Sequence, residues 1–152
     1  MKKRYILLIF VFLFAAAAWG FVDSLKTKAP AQDTIPEEQV SAPVQKDDLI
    51  VIDMPRTGQA IGSPLTITGK ARGNWFFEAS APVELVTDAG TIIARGIIQA
   101  QGDWMTADYV PFSGTLTYSV PPAGTVGTLI LRKDNPSGEA RFDNSVAIKV
   151  QW

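Results

Sequence analysis

FSGTLTYSV, residues 112–120, decides the fold class. Phe112, Leu116, Tyr118 and Val120 alternate with Ser113, Thr115, Thr117 and Ser119. Successive side chains of a strand point to opposite faces, so this pattern describes a strand with one face in a core and one in water. Downstream, Pro121-Pro122-Ala123-Gly124 reads as a turn into TLILRK at 128–133. VAIKVQW at 146–152 then sets Val146, Ile148, Val150 and Trp152 opposite Ala147, Lys149 and Gln151. Upstream, VELVT at 83–87 and TIIARGIIQA at 91–100 flank Asp88-Ala89-Gly90, a Gly-containing hairpin loop. LIVID at 49–53, LTITG at 65–69 and WFFEA at 75–79 are three further strand candidates.

No stretch after residue 48 keeps a helical period over three turns. Seven or eight short strands separated by Gly, Pro, Asn and Asp predict an all-β domain over 49–152, an antiparallel β-sandwich. The chain has no Cys, so the two sheets of such a sandwich must hold by apolar packing alone. The lack of Cys also removes thiolate nucleophiles and Cys-ligated metals, and the lack of His removes the usual general base at neutral pH. A net charge of -1 gives no reason to expect nucleic acid as a partner, since phosphate binding needs a concentrated basic face.

The N-terminus is MKKRYILLIFVFLFAAAAWGFV. Lys2, Lys3 and Arg4 precede an apolar run from Tyr5 to Val22. At ~1.5 Å per residue that run spans about 27 Å, close to the hydrocarbon core of a bilayer. Residues 1–22 therefore read as a short cytoplasmic segment and one transmembrane helix, a signal anchor that leaves the rest of the chain extracytoplasmic. The alternative is a cleaved signal peptide, since Ala15 to Ala18 offer a small-residue cleavage site. Both readings export the domain. Residues 23–48 lack apolar periodicity and carry Pro30, Pro36 and Pro43, which predicts an extended, flexible stalk.

Three stretches are rich in chemistry. GDWMTADYVPF, residues 102–112, sets Trp104, Met105, Tyr109 and Phe112 beside Asp103 and Asp108. One reading folds Trp104 or Met105 back as a plug over the open end of the sandwich. The other leaves Trp104 and Tyr109 as stacking surfaces, with Asp103 and Asp108 accepting hydrogen bonds from sugar hydroxyls or peptide amides. NWFFEAS, residues 74–80, cannot send Trp75, Phe76 and Phe77 into one core if it is a strand. Either a loop covers its outer face, or Trp75, Phe76 and Glu78 belong to a contact patch. Asp134, Asn135, Asp143 and Asn144 bracket the last hairpin with oxygen groups of a kind that suits Ca²⁺. The same residues are common where turns bond their own backbone, and no spacing matches an EF-hand loop. Glu78, Glu84, Asp88, Asp103 and Asp108 supply carboxylates for a glycan-cleaving enzyme, but the spacing singles out no pair. No cofactor motif is present.

In specific residues, the domain resembles the bacterial spore-germination-associated immunoglobulin-like family over nearly all of 49–152. The matching stretches are IVIDMPRTGQAIGSPLTITGKARGNWFFEASAPVEL, GDWMTADYVPFSGTLTY and LILRKDNPSGEARFDNSVAIKV. The resemblance implies an immunoglobulin-like sandwich on an exported or envelope-anchored bacterial protein, and it brings no catalytic residues. It does not imply sporulation. The expected function is that of a membrane-anchored extracytoplasmic binding module for an envelope protein. Recognition of cell-wall glycan through loop 102–111 is the alternative, and a small glycan-active enzyme is the remote one.

Overall fold

The computed structural model describes residues 43–152. The anchor read at 1–22 and most of the stalk read at 23–48 lie outside the described residues. Nine strands follow in order: β1 (Val44–Lys46), β2 (Ile50–Met54), β3 (Gln59–Ala60), β4 (Leu65–Arg72), β5 (Ser80–Thr87), β6 (Ile92–Ala100), β7 (Tyr109–Leu116), β8 (Val126–Arg132) and β9 (Ser145–Gln151). Two 3₁₀ turns, Gly73–Trp75 and Ala140–Phe142, complete the regular structure, and there is no α-helix among the described residues.

The strands form one continuous sheet in the order β1-β2-β4-β7-β6-β5-β8-β9-β3, rather than two separate sheets. The join is narrow. β6 and β7 pair only at Ile98↔Gly114, Gln99↔Ser113 and Ala100↔Phe112, whereas β4 and β7 pair over eight positions. The sheet curls there, and its two arms bury one immunoglobulin-like core. Ile50, Ile52, Ile67 and Phe112 come from one arm, and Val83, Leu85, Leu129, Leu131, Ile148 and Val150 from the other. Burial alternates residue by residue along β4, β5, β8 and β9, as the period-two pattern requires. Each fully buried Ile, Leu or Val contributes about 1.5–3 kcal/mol by leaving water.

Three expectations change. The strand read at 112–120 runs instead from Tyr109 to Leu116. Leu116 is the last residue paired with β4, opposite Leu65, and Pro64 beyond it has no N–H to extend the ladder. Tyr118 then leaves the sheet: its N–H donates to Ser63 Oγ (2.9 Å) and its hydroxyl to the Gly62 carbonyl (2.7 Å). Val44–Lys46, at the end of the stretch read as stalk, pairs with β2 as an edge strand. The two are joined by Asp47-Asp48, both with positive φ, closed by Leu49 N–H donating to the Lys46 carbonyl at 2.8 Å. This is the geometry of a primed hairpin turn without its usual glycine.

The strand read at 75–79 is absent. The chain instead makes the 3₁₀ turn Gly73–Trp75 and then a second tight turn at Glu78-Ala79, with φ of 49 and 61. Phe77 and Ser80 exchange two backbone hydrogen bonds across it, each of 3.0 Å. Because the backbone turns rather than extends, Trp75 and Phe76 both enter the core, and only Phe77 and Glu78 face solvent.

Candidate functional site

The loop between β6 and β7, residues 101–108, covers the end of the sheet next to the 3₁₀ turn. It is fixed by its own polar groups. Asp103 Oδ1 accepts from the Met105 N–H (3.0 Å), Thr106 Oγ1 accepts from the Asp108 N–H (3.2 Å), and the Gln101 N–H donates to the Pro111 carbonyl (2.7 Å). These are the local side-chain and backbone bonds expected of Asp and Thr in turns. The Gly73 N–H donates to the Asp108 carbonyl at 3.2 Å, so the loop is tied to the turn that feeds Trp75 into the core. Gly73 is required there. A Cβ at that position would collide with the carbonyl oxygens of Trp104 and Thr106.

Trp104 is half-buried and packs against the core, whereas Met105 is 78% exposed at the loop tip. Asp103 and Asp108 are exposed. Tyr109, the first residue of β7, is held on several sides. Its hydroxyl donates to Asp48 Oδ1 (2.7 Å), and the Arg72 guanidinium lies 4.1 Å and the Lys70 ammonium 5.1 Å from its ring centroid. Asp48 Oδ2 also pairs with Arg72 Nη2 at 2.6 Å, and Arg72 Nε donates to the Asp48 carbonyl at 3.1 Å. The Tyr109 hydrogen bond, with Arg72 adding to it, holds the Asp48 carboxyl below its ordinary range. The same bond pushes the Tyr109 phenol up.

The sequence candidates thus divide. Asp103, Trp104, Met105 and Tyr109 come together over one end of the sheet. Trp75 is fully buried and Phe76 nearly so, its ring meeting Phe112 edge-on at 6.3 Å between centroids. Neither presents a surface to a partner. Glu78 is exposed on its own turn. Among the described residues, the buried Trp75 indole N–H has no hydrogen-bond partner, a feature that costs about 1–3 kcal/mol where it occurs. Arg72 and Asp48 were missed from sequence, because the contacts that join them to each other and to Tyr109 span from 24 to 61 residues.

Three of the four oxygen-bearing residues near the last hairpin, Asn135, Asp143 and Asn144, put their side chains into the turn's own bonds. Asn135 Nδ2 donates to Asp143 Oδ1 (2.7 Å) and to the Glu139 carbonyl (2.9 Å), Ser137 Oγ donates to Asn135 Oδ1 (2.6 Å), and Asn144 Oδ1 accepts from the Ser145 N–H (2.9 Å). The Asp134 N–H donates to the Trp75 carbonyl at 3.0 Å. Asn135 therefore presents a donor, not a ligand oxygen, to Asp143. No group of three or more carboxylates that could hold a metal ion is present among the described residues. Of the remaining carboxylates, Glu84 is paired with Arg95 and Arg132, and Asp88 with Lys149.

The sequence pattern of one family, described as the immunoglobulin-like domain of bacterial spore germination, matches residues 49–140. The chain belongs to this family. The matched stretch carries β2 through β8, whereas the resemblance read from sequence ran on to 152. In this fold β9 completes the arm beyond the matched residues. Membership points to a binding or scaffolding module in a family that is typically non-enzymatic. No curated protein and no solved structure matches the chain.

Proposed function

We propose that this protein is a membrane-anchored, extracytoplasmic binding module that docks an envelope protein through loop 101–108. The reading is supported by family membership and by the sequence of 1–22, with its cationic start and bilayer-length apolar run. One observation carries the choice of surface. The loop backbone is fixed by Asp103, Thr106 and Gly73, while Met105 is held out to solvent. A rigid loop with a protruding flexible apolar side chain binds a protein surface at low ordering cost.

The geometry gives the glycan reading less. Sugar recognition by stacking needs an open aromatic face, and Trp104 lies half against the core while Tyr109 is covered by Arg72 and Lys70. Co-sedimentation of the full chain, in mild detergent, with purified cell-wall sacculi tests the choice. The expected result is no retention. Retention that Trp104→Ala abolishes, with the melting temperature of the variant showing it folded, would overturn the protein-docking reading in favour of glycan.

A further inference from the structure

Where β1 comes alongside β9, Lys46 Nζ donates to the Ser145 carbonyl at 2.7 Å. Around this contact lies a cleft of about 360 Å3 lined by Lys46, Arg132, Lys133, Asp143, Asn144 and Ser145. Read from sequence, Asp143 and Asn144 are oxygen groups of the kind that close turns, with Ca²⁺ as the alternative. The fold adds three positive charges that the local sequence does not show together: Lys46 from the end of β1, and Arg132 and Lys133 from the end of β8. Three cations line the cleft against one lining carboxylate, Asp143, and even with Arg132 partly offset by Glu84 the two lysines favour an anion in that space and oppose Ca²⁺.

The cations keep donors for a ligand. Among the described residues, Lys46 uses one of its three N–H groups on Ser145, and Lys133 Nζ reaches only the Phe142 carbonyl at 3.5 Å. Arg132 gives one edge of its guanidinium to Glu84 at 3.1 Å. Asp143, Asn144 and Ser145 add acceptors and a hydroxyl in the same wall. A ligand of pure phosphate would meet repulsion from Asp143. A peptide offers both a carboxylate for the lysines and backbone N–H groups for Asp143.

We propose that this cleft at the β1–β9 seam binds an acidic peptide segment, its carboxylate held by Lys46, Lys133 and Arg132 and its backbone amide received by Asp143. The proposal deepens the binding-module reading and rests on it, naming a second contact away from loop 101–108 and the chemistry of what it takes.

The test is fluorescence anisotropy of a labelled, capped peptide of alternating glutamate and glycine, titrated with the full chain in mild detergent at low ionic strength. The same peptide with glutamine in place of glutamate, and an oligomer of glycerol phosphate, are the comparison probes. The glutamate peptide should bind, and weaken as salt shortens the Debye length below ~10 Å. Lys133→Gln should weaken it about threefold to fivefold, and Lys46→Gln with Lys133→Gln at least tenfold. Lys133→Gln removes no strand-to-strand contact, so it keeps the test valid if the double variant is poorly folded. Equal binding of the glutamine peptide, binding of the glycerol phosphate oligomer alone, or unchanged affinity in folded Lys133→Gln would each overturn the proposal. If protein crosslinking from loop 101–108 persists when the peptide fails to bind, only the cleft assignment falls. Loss of that crosslinking would instead count against the binding-module reading.

Discussion

Replacing Gly73 with alanine probes the coupling between the end loop and the core. The new methyl has no empty direction. It points at the carbonyl oxygens of Trp104 and Thr106, which are backbone atoms and cannot rotate away. Restoring ordinary van der Waals separations of roughly 3.5 Å requires the loop or the 3₁₀ turn to shift. Such a shift strains the Gly73–Asp108 hydrogen bond and the seating of Trp104. Overpacking of this kind costs about 1–3 kcal/mol, and the weakened bond puts the expected loss near 2–3 kcal/mol. With an m value of about 1–1.5 kcal/mol/M, the urea midpoint should fall by roughly 2 M. The control is Gly62→Ala, where a Cβ meets nothing within 4 Å and φ is unexceptional. It should leave the midpoint unchanged or slightly raised. Equal midpoints for Gly73→Ala and Gly62→Ala would refute the claim that the loop is packed onto the turn.

Other substitutions test neighbouring parts of the account. Trp104→Ala should cost about 1–2 kcal/mol in urea unfolding, less than the ~3–5 kcal/mol of a fully buried tryptophan; a loss under ~0.5 kcal/mol would mean that Trp104 does not cap the core. Ala79→Gly should stabilise the domain by about 0.5–1 kcal/mol, because Ala79 sits at φ 61, where an L side chain is strained and glycine is not. Asp48→Asn should lower the melting temperature at neutral pH. The Asp48 pKa lies below its ordinary 3.8 in the folded state, so its contribution is present above 3.8 and is lost as pH falls through the folded value. The gap between wild type and Asp48→Asn should therefore close in acid, and a gap that stays constant down to pH ~2 would contradict the Tyr109–Asp48–Arg72 arrangement.

Period-two alternation marks β4 and β9, and the turns at Asp88–Gly90 and Pro121–Gly124 mark β5 and β8; all four have one face in the core. The alternation at 112–120 continued past the true end of its strand, since pattern alone does not show that Pro64 stops the partner ladder. The aromatic run at 75–77 misled for a related reason. Alternation was applied to a segment that bends twice, and its second bend uses Glu78 and Ala79 where turn chemistry favours Asn and Gly. β1 carried a legible signal, Val44 and Lys46 flanking Gln45 ahead of Asp47-Asp48, but three residues are too few to outweigh the proline-rich run before them. At the candidate site, the Asp103 and Thr106 turn bonds follow from local sequence. The ring of Lys70, Arg72 and Asp48 around Tyr109 does not, because it is assembled by the pairing of β4 with β7 and by the β1–β2 hairpin. The cationic cleft was hidden in the same way, with Lys46 lying 86 and 87 residues before Arg132 and Lys133.

The central claim is that loop 101–108 docks a protein outside the cytoplasm, and site-specific photocrosslinking in the native host tests it most directly. A photoreactive residue would replace Met105 in the full chain, with Ala89 as the control position, since the Asp88–Gly90 hairpin and loop 101–108 lie at opposite ends of β6. The account predicts one discrete protein adduct from position 105, formed outside the cytoplasmic membrane and absent from position 89. Equal labelling from both positions, or an adduct at 105 that cell-wall hydrolase removes, would contradict it.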